Sequence, residues 1–339
     1  MRDDLDIEQP GALVAYLRET NRIAADEEPG VTILAGGVSN RTMLVERESG
    51  ESWVVKQALA KLRVQVDWFS DPARIHREAD GLRWLGEISP PGTITPLIFE
   101  DRDDYILAMA AVPQPHENWK QMLLRGDLQI DHVEQFAALL GTIHRVSNER
   151  RSELEPVFGD RDFMETLRLE PYFEYAASQV PESAAFYAAL LSETRAISST
   201  LVHGDYSPKN VLVHNDQLIL LDHEVIHFGD PGFDLGFSLT HFLSKAHHLP
   251  ERRADFAGAA KHYWDRYEQT VGFADWTIGL EARAVRHTLC ILLARVAGRS
   301  PLEYLSPDER SRQRAVVLAL MLYPPETVHD LVDRFVGSL

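Results

Sequence analysis

Residues 201–213 read LVHGDYSPKNVLV, and residues 218–224 read LILLDHE. Two apolar runs flank a polar centre, His203-Gly204-Asp205, with Asn210 following in the same loop. An exposed polar loop has no need of LV before it and VLV after it. Buried flanks therefore present the polar atoms of Asp205 and Asn210 at one spot, on a loop held by a rigid scaffold. The runs VLVHN and LILLD, either side of Asp216, read as a hairpin, with Asp222 at the end of its second strand and Glu224 two positions on. Alternate residues of an extended chain point the same way, so Asp222 and Glu224 are expected to face one ion. With Asn210 they make an oxygen-donor set for a hard cation, and Mg²⁺ beside a phosphate substrate is the expected occupant. Asp205 is left to accept a proton from an attacking hydroxyl.

Outward from this loop the chain changes character. The stretch GALVAYLRET has helical spacing. VTILAGG, RTMLVER and SWVVKQA read as three strands, SDPARIHREADGLRWLGEI as a helix that Ser70 or Asp71 can cap, and TPLIFED and YILAMA as two further strands. These make a small antiparallel sheet with one main helix inserted. AAVPQPHENW reads as a connector, and the expected domains are residues 1–111 and 112–339. The second is mainly helical apart from the hairpin, so the fold class is α+β with two lobes.

Composition limits the partners. The formal net charge of −18 disfavours nucleic acid and anionic membrane surfaces. Cys290 is the chain's one cysteine, which excludes an internal disulfide. The polar start MRDDLDIEQP has no signal-peptide pattern, no apolar run reaches membrane-spanning length, and a cytoplasmic protein is expected. A homodimer is left open.

HGDYSPKN followed by LLDHEVIHFGDPGFDLGF resembles the aminoglycoside phosphotransferase and choline kinase superfamily, whose fold is protein-kinase-like. The resemblance implies that Asp205 is the base, Asn210 a metal ligand and Asp222 the downstream metal aspartate. It suggests that Asp234 braces the catalytic loop. VVKQALAKLRVQVDWFSDPARIHREADGL resembles the corresponding region of 5-methylthioribose kinases, which also carry an Asp-x-Glu pair where Asp222-His223-Glu224 stands. Those kinases lack asparagine at the place of Asn210 and have a longer segment around the tryptophan. Kinase-like folds carry a phosphate-binding lysine on the third strand. Lys56 ends that strand here, and Glu78 on the following helix can hold it. Gly36, Gly37 and Ser39 join the first two strands, where backbone N–H groups can cradle phosphates. Such a turn also serves as an ordinary hairpin. Backbone groups from Ala110 to Val112 are expected to receive adenine. His203 reads as a loop anchor.

Two residues bear on the acceptor. Trp68 matches the tryptophan of the methylthioribose kinase loop, and reads equally as a core aromatic. Arg295 lies where related kinases contact the sugar, and reads equally as a surface arginine. The expected activity is ATP- and Mg²⁺-dependent phosphotransfer to a hydroxyl of a small molecule, with a methylthioribose-like sugar as the leading acceptor. An aminoglycoside, choline or amino-alcohol acceptor is the alternative, and a nucleotide-binding pseudokinase acting by interaction is the alternative of another class.

Overall fold

Five strands between Gly30 and Ala110 form an antiparallel sheet in the order β1-β2-β3-β5-β4. Its strands are β1 (Gly30–Ile33), β2 (Asn40–Glu46), β3 (Ser52–Ala58), β4 (Leu97–Asp101) and β5 (Ile106–Ala110). The computed structural model describes residues 5–34, 39–63 and 68–339. Gly36 and Gly37 lie outside the described residues, so the phosphate turn expected there is not placed.

On β3, Trp53 and Val55 are buried while Val54 and Lys56 between them are half-buried, the period of two expected of a strand. Trp53 and Val55 join Met43, Val45, Phe99 and Ile106 in a core that also takes Leu13, Tyr16 and Leu17 of helix α1 (Pro10–Glu19). Tyr16 adds a hydrogen bond from its hydroxyl to Asp101, 2.8 Å. Helix α2 (Arg74–Ile88) follows β3. Just before it, Asp71 accepts from the Ala73 amide at 2.9 Å.

The chain divides into two compact units, one of Met1–Glu87 with Ile94–Gln114 and one of Ile88–Thr93 with Pro115–Leu339. The break expected at 111/112 thus falls at Gln114. Residues 88–93 join the second unit because their carbonyls bond there: Thr93 accepts from the Leu220 amide at 2.8 Å and Pro91 from Gln217 Nε2 at 3.1 Å.

The second unit opens with β6 (Glu117–Asn118), α3 (Trp119–Leu124) and α4 (Ile130–Glu149). Short strands β7 (Thr200–Val202) and β10 (His227–Gly229) pair antiparallel. Between them β8 (Val211–His214) and β9 (Gln217–Leu220) form the expected hairpin. Its two-residue turn puts Asn215 and Asp216 at φ 49° and 59°, the left-handed pair that matches strand twist. The helix Gly232–His248 is buried along almost its whole length, against the helix Leu280–Ala297. They meet at Gly236, where an added Cβ would lie 2.5 Å from His287 Cβ and 2.8 Å from the Thr288 amide nitrogen. Cys290 sits wholly buried in the Leu280–Ala297 helix, and burial pushes its thiol pKa well up. Residues Glu165–Glu174 are π-helical, which the sequence reading did not anticipate. Among the described residues no helix is long and apolar enough to cross a membrane.

Candidate active site

In the first unit, the face of β3 opposite Trp53 and Val55 carries Lys56. Its Nζ donates to Glu78 Oε1 at 2.6 Å, and Glu78 is wholly buried on α2. A buried carboxylate beside a lysine fixes the ammonium in one place. The Ser39 carbonyl accepts from the Arg74 guanidinium and from the Leu59 amide, and its hydroxyl oxygen accepts from Asn40 Nδ2 at 3.2 Å. Arg74 is wholly buried and also donates to the Leu59 carbonyl at 2.9 Å, so it clamps the chain at Ser39. Ala110 commits its amide to the Pro96 carbonyl at 2.9 Å and Ala111 its amide to the Ser52 carbonyl at 2.8 Å. Val112 is buried. Trp68 is half-buried, and its indole N–H has no hydrogen-bond partner among the described residues.

The second unit holds the loop with which the sequence reading began. Gly204 has φ +77°, a conformation that favours glycine, and an added Cβ would meet Val225 Cγ1 at 2.9 Å. Asp234, wholly buried at the start of the Gly232–His248 helix, accepts from the amides of His203 (2.6 Å) and Gly204 (2.9 Å). It therefore braces the loop as expected. His203 accepts from the Asp205 amide at 3.2 Å, and its other ring nitrogen meets His223 Nδ1 at 3.1 Å. Burial lowers its pKa, which suits a neutral anchor. Tyr206 stacks on Phe136 with ring centroids 4.2 Å apart and donates to the Phe136 carbonyl at 2.8 Å.

These anchors leave Asp205 3% exposed. One oxygen, Oδ2, is gripped by Arg168 Nη2 at 3.0 Å and Lys209 Nζ at 2.9 Å. The other, Oδ1, has no hydrogen-bond partner among the described residues. Burial disfavours the carboxylate, yet Lys209 and Arg168 outweigh it and hold its pKa well below the usual carboxylate range. Arg168 also donates from Nε to the Gly204 carbonyl at 2.6 Å. It comes from the π-helical stretch, which contains Pro171. Proline cannot continue an α-helical ladder, and π-helical turns often occur at functional sites. The sequence reading missed Arg168 and passed over Lys209, although Lys209 lies inside the quoted loop. The signals were a proline in a helical pattern and a lysine four residues after the aspartate.

Asn210 donates from Nδ2 to the Asp205 carbonyl at 3.0 Å, which leaves its amide oxygen as the end a metal can use. Asp222 lies beyond β9, at φ +70°, and His223 to Ile226 form a turn with the Ile226 amide on the His223 carbonyl, 3.2 Å. The chain is not extended at Asp222–Glu224, so strand alternation does not bring these two carboxylates together. Both nevertheless act by charge on Arg168. Among the described residues no three acidic, histidine or cysteine side chains form a metal cluster.

Arg295 is 7% exposed and lies against the rings of Tyr172 and Phe237 at 5.6 and 5.9 Å. Its Nη1 donates to the Tyr172 hydroxyl (3.1 Å), the Ser300 carbonyl (2.6 Å) and Ser300 Oγ (2.9 Å). The surface-arginine reading is thereby excluded. Tyr172 stands one turn after Arg168. Burial opposes its ionisation, but Arg295 and Arg168 lower its pKa overall.

The profile described as the phosphotransferase enzyme family matches residues 30–271. Methylthioribose kinase 2 of Oryza sativa subsp. japonica is 26% identical over 285 residues, 74% of this chain and 66% of that protein, so the match spans just under two thirds of the relative's length. The solved amicoumacin kinase hAmiN, in complex with AMP-PNP, Ca²⁺ and Ami, is similar at TM-score 0.62 and 18% identity, covering 98% of this chain and all of that one. A choline/ethanolamine kinase family protein from Mesorhizobium loti gives TM-score 0.57 at 14% identity, covering 96% and 98%. These likenesses show the kinase-like α+β fold.

Proposed function

Because the chain belongs to the phosphotransferase enzyme family, we propose that it is a small-molecule kinase that moves the γ-phosphoryl group of ATP to an acceptor hydroxyl, with Mg²⁺ as its metal. Asp205 carries this reading: a buried carboxylate kept charged by Arg168 and Lys209 on one oxygen, with the other oxygen buried and without a hydrogen-bond partner among the described residues. A protein that only bound nucleotide would have no use for that arrangement.

The acceptor hydroxyl donates to Asp205 Oδ1 and is thereby aimed. Its oxygen bonds to the γ-phosphorus as the bond from that phosphorus to the β–γ bridging oxygen breaks, and ADP leaves with the electron pair. The hydroxyl proton passes to Asp205 late and then to the product phosphate or solvent. A strongly depressed carboxylate pKa suits positioning, with proton transfer only once the new bond has advanced. Lys56, fixed by Glu78, would neutralise phosphate charge. Asn210, Asp222 and Glu224 are hard oxygen donors that fit Mg²⁺, which needs only one or two protein carboxylates beside phosphates. The bound ion supplies charge neutralisation at the phosphoryl oxygens.

The relative named methylthioribose kinase supports a sugar-like acceptor. Arg295 would offer it a cation. Choline and aminoglycosides fit less well, because Arg295 would repel their charge. The test is a thermal-shift series. ATP is expected to stabilise the protein more with Mg²⁺ than without, and Asp222→Asn to remove that increment. Asp205→Asn is expected to keep nucleotide binding and to lower turnover by about 10²–10⁴. Unchanged metal dependence or full turnover in these variants would reject the reading.

A further inference from the structure

The interior of the second unit holds more positive charge than its described hydrogen bonds satisfy. Lys245, on the Gly232–His248 helix, is wholly buried. Its Nζ reaches the His241 carbonyl of its own helix at a long 3.3 Å, and lies 5.7 Å from the ring centre of Tyr304. Arg295 Nε has no partner among the described residues. His241 is 2% exposed, and neither of its ring nitrogens has a partner among them. The acid that acts on Lys245 is Glu303, which is already ion-paired with Lys120. Lys120, Lys245 and Arg295 thus all act on the Glu303 carboxylate. Burial, then Lys120 and Arg295, push the Lys245 ammonium down to about 7.

The cluster borders the catalytic loop. Lys245, Arg295, Asp205 and Lys209 all act by charge on His241. Tyr172 accepts from Arg295, and Arg168, one turn earlier, holds Asp205. A buried ammonium without a counter-ion is costly, because nothing replaces its lost hydration. A ligand anion would relieve that cost, and the place beside Asp205 is where an acceptor must sit.

We infer that the acceptor is a hydroxylated small anion, whose carboxylate or phosphoryl group is received by Lys245 and Arg295 with a hydrogen bond to His241, while its hydroxyl reaches Asp205 Oδ1. This rests on the kinase reading above and narrows its acceptor. Residues 298–306, which carry Ser300 and Glu303, are irregular up to the start of the next helix, and are the chain that an entering anion would displace.

The test compares ribonate and ribose 5-phosphate with neutral ribose and cationic choline by calorimetric titration on the full chain. At least one of the two anions is expected to bind about tenfold or more tighter than ribose, the two arms separating carboxylate from phosphoryl recognition. Lys245→Met should abolish that preference while the thermal shift given by Mg²⁺ and ATP persists. In the parent protein, affinity for the anion should fall as pH rises from 6 to 9.5, which keeps the test valid if the variant does not fold. Ribose or choline binding as tightly as both anions would overturn the inference. So would an unchanged preference in Lys245→Met, or an affinity flat with pH. Loss of the Mg²⁺ and ATP shift in the parent would instead count against the kinase reading.

Discussion

Lys209 is the half-exposed member of the pair that holds Asp205, at 44% side-chain exposure, whereas Arg168 is buried. Replacing it by methionine should therefore spare the fold while removing one of the two charges that keep the carboxylate ionised. The Asp205 pKa should then rise, because one of the two cations that lower it is gone. The acid limb of the kcat/KM profile is expected to move to higher pH in Lys209→Met, with the parent flat through pH 5. An acid limb unmoved by the substitution would remove Lys209 from the site. At this scale the sequence showed what lies close along the chain. Asp205, Asn210 and Lys209 share one loop, and residue type plus spacing announced the first two. Arg168 reaches Asp205 from a separate element through the π-helical stretch, and no local pattern encodes that meeting. That Asp222 and Glu224 face one ion was argued from strand periodicity, but a left-handed residue and a turn replace the strand there.

Among elements, the most demanding contact is Gly236 against the Leu280–Ala297 helix. An alanine methyl there meets backbone atoms, which cannot swing aside. The Gly232–His248 helix would have to shift, and the same helix carries Asp234 at one end and Lys245 toward the other. Gly236→Ala is expected to cost about 1–3 kcal/mol, read as a lower urea midpoint, and to reduce turnover by disturbing both. Unchanged stability would mean that the helices pack less closely than described. Strand β3 was legible because its burial alternates, and the β8–β9 hairpin because apolar runs flank its polar turn. The π-helical stretch was not legible. Its residues have an ordinary helical pattern, and only Pro171 marks the departure.

For the molecule as a whole, the net charge of −18 and the buried cations act at different ranges. Surface charge is screened beyond about 8 Å, so the acidic exterior does not neutralise Lys245. An unfolded chain keeps the lysine proton to about pH 10, the folded chain only to about 7. Between these values the unfolded state binds more protons, so stability rises with pH across that window, and the full penalty stands below it. Lys245→Met should raise the Tm at pH 6, with a gain that shrinks toward pH 10. A variant less stable than the parent at pH 6 would show that a counter-charge already balances the ammonium.

Cys290 lies wholly buried in the helix that packs across Gly236, and it is the chain's one thiol. A water-borne disulfide reagent can reach it only when that helix parts from its neighbours. Its labelling rate is therefore a clock for the breathing of the second unit, with no other thiol to confuse the reading. In the native protein the clock should run slowly, and an acceptor held by Arg295 on the same helix should slow it further. Labelling complete within mixing time would mean that the unit opens freely.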